Sequence, residues 1–506
     1  MASSGRPAAS LGPVPRPWGL WHLAALGFAG SACVLVGVHL PGSPFVAAGR
    51  SPWILGSSPP AGRGTEGAAQ FLGIVLVYAG IAVLLGAWLE TLRTVRAQPP
   101  AGTRALLPVL GAWTAPLVLA PPLFSRDVYS YAAQGDLVAR GIDPDLRAPA
   151  VLGPGPFTRA VDPLWLHATA PYGPAWERLA GGVVRLAGGS VAGSAAGFRV
   201  VALAGIALLA WAVPDLARSV GADDPGAFTL ALLNPLTLLV LVGGAHNDAL
   251  MLGLAATACA LGARGHVVAA VVVCGLAAEI KVPALLVAVI VGWAWWGGPG
   301  TARRAARAAA ATLGAVGVMA AAGLACRLGW RWVGALFGSG RVVSWLDPAT
   351  AAGLALHDLA RALGDTGGAG PFVTAARLAG LALATLVTLR LVGRVDRIGP
   401  VRALGWSLLA FALLGPVVWP WYETWGIAFL AVGAHRAALR TVVLLSALGC
   451  VADVTAPGLL VSAPPALVVA GWVAVAGAAA WYLVARRPWS HDEAVGRLAS
   501  RPVRAA

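Results

Sequence analysis

Residues 125–135 read Ser125-Arg-Asp-Val-Tyr-Ser-Tyr-Ala-Ala-Gln-Gly135 and directly follow an apolar span at 105–124. Arg126, Asp127, Tyr129, Tyr131 and Gln134 thus stand at the lip of a hydrocarbon layer, where charge is costly unless it is paired or used. From Asp127 onward, Val128, Tyr131, Ala132, Gly135, Val138 and Ala139 recur at helical spacing. With Ser125 as N-cap, the segment is expected to form a short helix lying along the membrane surface. Arg140-Gly141 would close it. Asp127, Ser130 and Gln134 would be neighbours on its polar side. Taken alone, Asp127 fits two roles: a charge complementing the helix N-terminus beside Arg126, or a reacting carboxylate.

The surroundings are those of a membrane protein. The chain has 506 residues, of which 58% are hydrophobic and only 11% charged, with a mean hydropathy of +0.76. Soluble domains carry about 25% charged residues. A single integral membrane domain over 1–506 is expected, all-α and polytopic, with about 12–14 transmembrane helices. Candidate spans are 19–40, 69–92, 105–124, 199–218, 226–245, 247–263, 266–280, 282–297, 308–326, 371–392, 401–419, 424–438, 441–460 and 464–485. Several are short enough to be tilted, broken or re-entrant. The net charge of +15 comes from arginines in short clusters between apolar spans, a pattern of topology control and not of nucleic-acid binding. The five cysteines lie in or at the ends of spans without metal-ligand spacing, so neither a disulfide framework nor a metal site is expected. The first span lacks a small-residue cleavage site and reads as a retained helix.

The arginines also orient the chain. Arg93, Arg96, Arg104, Arg218, Arg264, Arg303, Arg304, Arg307, Arg390, Arg394, Arg397, Arg402, Arg436, Arg440, Arg486 and Arg487 all fall on one side of the spans. The positive-inside rule makes that side, and the N-terminus, cytoplasmic. Three polar regions then face outward: a first long extracytoplasmic loop at 125–198, a second at 327–370, and the turn Trp419-Pro-Trp-Tyr-Glu-Thr-Trp425. In the first loop, Asp162-Pro-Leu-Trp165 and Ala170-Pro-Tyr-Gly-Pro174 supply rigid turns and aromatic faces. In the second, Asp347-Pro348 starts an amphipathic helix. Arg327, Arg331 and Arg341 lie there against the positive-inside trend, as cations would that meet an anionic ligand.

Polar groups also enter the spans. Gly243-Gly-Ala-His-Asn-Asp-Ala-Leu-Met251 places His246, Asn247 and Asp248 at the outer end of two apolar helices, where Asn247 or Asp248 could serve as a cap. Lys281 is the only lysine in the chain and sits in Glu279-Ile-Lys-Val-Pro283. Such a charge costs about 2.5–3.5 kcal/mol to insert. Pairing with Glu279 or Asp248 would offset this; contact with an anionic head group is the alternative.

Together these segments resemble the actinobacterial polyprenyl-phosphate-mannose-dependent α(1→6)-mannosyltransferases. The matching residues are the 125–135 stretch, Gly141-Ile-Asp-Pro144, Ala170-Pro-Tyr-Gly-Pro174, Gly243–Met251, Lys281-Val-Pro and Pro420-Trp-Tyr422, spread over roughly 70–430. One departure is Asp145, where the family usually has an aromatic residue. The resemblance implies a glycosyltransferase C-like fold and a polyprenyl-phosphate mannose donor whose lipid tail lies in the bilayer. The acceptor it implies is a growing lipid-linked α(1→6)-mannan, the core of lipomannan and lipoarabinomannan, extended on the outer face of the plasma membrane. No cofactor is implied.

On this reading Asp127 is the general base of an inverting transfer, and Lys281, Arg126 and His246 attend the donor phosphate. Tyr129, Gln134, Tyr172, Asn247, Asp248, Tyr422 and Glu423 are the expected substrate contacts. A transporter or flippase of a lipid-linked sugar is the main rival. It would spread polar groups along a path to the cytoplasm, whereas here they cluster at the outer end. A non-catalytic scaffold would leave the outer carboxylates unexplained.

Overall fold

A computed structural model of the chain describes residues 19–46, 50–56, 66–336, 342–343 and 347–454. Every regular element among them is a helix. Five helices are long and apolar enough to cross a membrane: Leu20–His39, Gly67–Ala97, Val191–Ser219, Thr301–Cys326 and Gly370–Gly393. A sixth candidate is a bent pair, Thr237–Gly243 with Asp248–Ala263, turned by 114°. Other apolar segments form shorter helices, among them Val267–Ile280 and Pro400–Leu414. The expected span at 464–485 lies outside the described residues.

Proline explains much of the breakage. Asn234-Pro235 divides the expected 226–245 span into Asp224–Ala231 and a wide-turn helix at Thr237–Gly243, because proline cannot donate to the helical ladder. Pro283 likewise ends Val267–Ile280. In lipid a broken helix must find other partners for its backbone. Arg199 supplies several. Its guanidinium, buried on the Val191–Ser219 helix, donates to the carbonyls of Leu117 (2.6 Å), Val118 (3.0 Å), Ala120 (3.1 Å) and Gly243 (2.9 Å). Leu123 N–H donates to the Gly243 carbonyl as well, at 2.9 Å. The two helix ends leading to residues 125 and 246 are thereby fastened together. Each elbow carries a non-glycine residue in the left-handed region, Phe124 at φ 60° and Ala245 at φ 54°.

The 125–135 stretch does form a helix, Asp127–Ala139, with Ser125 Oγ accepting from Asp127 N–H at 3.2 Å. It does not lie on a surface. Residues 128–138 are all buried, because the following helices Pro174–Leu186 and Val191–Ser219 pack over it. Gly135 makes the close approach possible: a Cβ there would stand 2.5 Å from the Ala180 carbonyl oxygen. The Pro171–Pro174 turn is docked on the end of the 267–280 helix. Gly173 N–H donates to the Glu279 carbonyl (2.7 Å), and Ala175 N–H donates to Glu279 Oε2 (2.6 Å). Glu279 therefore complements a helix N-terminus. The Asp347-Pro348 helix begins where expected, but the Asp347 carboxylate accepts from Val418 N–H at 2.7 Å instead of capping its own helix.

The Gly135 contact yields a paired prediction. Gly135→Ala should destabilise the detergent-solubilised protein by about 1–3 kcal/mol, the usual cost of overpacking. Gly182→Ala, on the facing helix with open space around it, should be neutral or stabilising by up to about 1 kcal/mol. Thermal midpoints in detergent check both.

Candidate active site

The Asp127 carboxylate sits where three separately encoded segments meet. Oδ1 accepts from Trp165 Nε1 at 3.0 Å, and Oδ2 lies 3.8 Å from His246 Nδ1. His246 is itself buried and stacks on Trp421, with ring centroids 4.1 Å apart. The carboxylate retains 15% exposure, enough to meet a ligand. Burial pushes its pKa up to about 6, opposed by the Lys281 charge and the Trp165 hydrogen bond and aided by Asp248. An acid so placed is still largely ionised near neutrality and is a stronger base than an ordinary carboxylate.

Asp127 opens onto a cleft of about 330 Å³, whose walls include Ser130, Gln134, Tyr172, Lys281, Arg331 and Tyr422. Ser130 Oγ and Gln134 Oε1 are buried there without hydrogen-bond partners among the described residues. Buried polar atoms normally have partners, so these two suit a hydroxylated ligand. Lys281 Nζ donates to both oxygens of Asp248, at 2.9 and 2.7 Å, and lies 4.7 Å from the Tyr422 ring centre. Trp425 Nε1 also donates to Asp248 Oδ1, at 2.6 Å. Of the two acids that might pair with Lys281, Asp248 does so; Glu279 is engaged with the 173–175 backbone. An ammonium has three donors, and Asp248 takes two. Lys281, Tyr172 and Tyr422 also border a second, mostly apolar cavity of about 220 Å³, with Val282, Leu381 and Phe411 on its walls.

Several expected contacts lie elsewhere. Arg126 is not on the cleft with Lys281. Its Nε and Nη2 donate to the carbonyls of Arg159, Ala160 and Val161 at 2.6–3.0 Å, closing the 156–162 loop. Tyr129 is buried with its hydroxyl donating to the Pro52 carbonyl at 3.1 Å. Glu423 faces the 436–454 helix, where its Oε2 would be 2.9 Å from a Cβ at Gly449. Asn247 lies behind the cleft, its Oδ1 accepting from Tyr131 at 3.3 Å. Asp145 borders neither cavity; its burial is beside Glu177, whose carboxyl is raised by burial and by Asp145 and Asp143. Tyr172, by contrast, stacks edge-to-face on Tyr131, centroids 5.6 Å apart, and does form cleft wall.

Two contributors escape sequence reading, and a third, Arg331, was legible in it. Trp165, legible only as an aromatic face, is a hydrogen-bond donor to Asp127. Trp425 performs that service for Asp248. Arg331, noticeable as a cation on the unexpected side, borders the cleft.

Comparison with known proteins identifies the family of the chain. The family model described as "Alpha-(1->6)-mannopyranosyltransferase, N-terminal domain" matches residues 24–297, and one described as "MptB C-terminal domain" matches 349–486. The chain is 33% identical over 443 residues to Alpha-(1->6)-mannopyranosyltransferase A of Mycobacterium tuberculosis, covering 84% of this chain and 82% of the relative. It is 32% identical to a probable alpha-(1->6)-mannopyranosyltransferase of Mycolicibacterium smegmatis, covering 73% and 72%. With Alpha-(1->6)-mannopyranosyltransferase B of Corynebacterium glutamicum the identity is 29%, covering 64% and 58%. No solved structure matches the chain significantly. The chain belongs to the alpha-(1->6)-mannopyranosyltransferase family and is a multi-pass membrane mannosyltransferase.

Proposed function

We propose that the protein transfers mannose from a polyprenyl-phosphate donor to a growing α(1→6)-mannan on a lipid, at the outer face of the plasma membrane. One observation carries the reading: a single cleft holds the Asp127 carboxylate and the Lys281 ammonium, and Lys281 also borders an apolar cavity. A carboxylate, a cation and an adjoining greasy wall are what a sugar phosphate with a prenyl tail requires. The tail lies along Val282, Leu381 and Phe411. The phosphate meets the remaining Lys281 donor, with Arg331 as a second cation.

In the reaction, Asp127 takes the proton from the acceptor hydroxyl as its oxygen bonds to the anomeric carbon. The bond from that carbon to the phosphate oxygen breaks on the opposite face, and its electron pair leaves with the polyprenyl phosphate. Cations beside the leaving oxygen stabilise the charge that develops there. The Trp165 hydrogen bond holds the carboxylate in place, His246 packs beside it, and Ser130 and Gln134 are available to sugar hydroxyls. The transporter reading is disfavoured by the same cluster, which supplies a base bordering a cleft.

Asp127→Asn should preserve membrane insertion and lower transfer by about 10²-fold or more, the usual share of a positioned base. The base must be ionised to act, so wild-type turnover should climb as pH rises through about 6 and level off above it; Asp127→Asn should lack that limb. Single-turnover transfer of labelled mannose across pH reads both. Near-normal turnover in Asp127→Asn would reduce Asp127 to a helix-terminal charge.

Orientation is tested separately in a background without the native cysteines. A cysteine replacing Val151, which is 49% exposed, should react in intact cells with an impermeant thiol reagent. One replacing Ala97 should not. The reverse pattern contradicts an extracytoplasmic site.

A further inference from the structure

Asp127 also borders a third cavity, of about 300 Å³. Asp127, Trp165 and Trp419 border both this cavity and the cleft containing Lys281. The remaining walls are distinct: Pro44, Phe45 and Val46 after the first helix, Leu164, Arg126 with Asp162, and Trp421. We propose that this cavity is the acceptor subsite, where the terminal sugar of a neutral α(1→6)-mannoside chain stacks on Trp419 with a hydroxyl against Asp127. The proposal rests on the donor assignment above.

Stereochemistry places the two substrates apart. In an inverting displacement the nucleophile and the leaving group occupy opposite faces of the anomeric carbon. If the phosphate leaves beside Lys281, the acceptor must reach Asp127 from the side away from Lys281, and this cavity borders Asp127 without bordering Lys281. Its chemistry fits a neutral sugar and not a second phosphate. The one cation on its wall, Arg126, is committed to the carbonyls of 159–161 and lies 3.9 Å from Asp162. Trp421 is stacked against both His246 and Trp419, centroids 4.1 and 5.0 Å away, so it braces Trp419 from behind and leaves Trp419 as the aromatic wall for the C–H face of a hexose. Asp162 and Ser51 add hydroxyl partners at the edge. The volume is at the low end of ligand pockets, about 300–1,000 Å³, which suits a sugar terminus. The same geometry gives Arg126 a role as the brace that holds the 159–162 wall.

Two measurements on the full-length protein in detergent test this. Leu164→Trp and Pro44→Trp each place an indole in the cavity at a position that does not border the Lys281 cleft. With a synthetic alkyl α(1→6)-dimannoside as acceptor, each should raise the acceptor KM about tenfold or more while the donor KM stays within about twofold. Leu381→Trp, in the apolar cavity, should do the converse. An unchanged acceptor KM in both Trp variants overturns the proposal. The second measurement needs no donor and only a mild substitution. Leu164 is 44% exposed, and in Leu164→Cys the dimannoside alone should slow modification by a thiol reagent. Absence of protection at saturating dimannoside also overturns it. Should the wild-type protein show no transfer from polyprenyl-phosphate mannose at all, the donor reading fails, while the protection assay still decides the cavity.

Discussion

The constraint on which the rest depends is the satisfaction of broken backbone in lipid. Two chain segments that form the site, 120–127 and 243–248, leave their helices at sharp elbows, and hydrocarbon offers no hydrogen bonds to the freed carbonyls. Arg199 gathers four of them from two different helices. A planar guanidinium with five donors can do so; a lysine ammonium could not cover the same spread. Holding both elbows together brings Asp127 within 3.8 Å of His246, although 119 positions separate them in the chain (246 − 127). The left-handed Phe124 and Ala245 are the local cost, about 1–3 kcal/mol each, offset by the clamp. Sites with demanding geometry commonly hold strain of this kind.

A second network sets the electrostatics. Lys281 and Asp248 form a buried pair that Trp425 and the rings of Tyr422 and Trp425 enclose. Such pairs are weak sources of net stability, since desolvation consumes most of the attraction. Their use here is positional: the pair keeps a cation at the boundary between a polar cleft and an apolar cavity without stranding its charge. Lys281 also restrains the rise of the Asp127 pKa caused by burial. The carboxylate consequently remains ionisable near neutrality despite its surroundings.

The sequence carried the membrane class, the positions of the five long apolar helices and the helical placement of Asp127, Ser130 and Gln134, because each rests on local periodicity or composition. It also narrowed the acid that would pair with Lys281 to two, beside the alternative of an anionic head group. The choice between Glu279 and Asp248 depended on how the 171–174 turn docks, which no local pattern encodes. Arg126 and Tyr129 were misplaced for a similar reason. On a helix buried all round, adjacent residues point into different compartments, and membrane-lip reasoning treats them alike. Arg199 was read only as the start of a span, since an arginine there resembles an interfacial residue until its four carbonyls are seen. Glu423 sits next to cleft-lining Tyr422, yet successive helical side chains diverge by about 100°, and it faces the 436–454 helix.

The central claim is that Asp127 and Lys281 attend opposite ends of one displacement. An experimental structure with a non-transferable mannosyl phosphonate carrying a prenyl tail tests it most directly. The account predicts the phosphonate against Lys281, the tail along Val282 and Leu381, and the anomeric carbon turned toward Asp127. A phosphonate bound away from Lys281, or a sugar whose anomeric carbon faces away from Asp127, would contradict it.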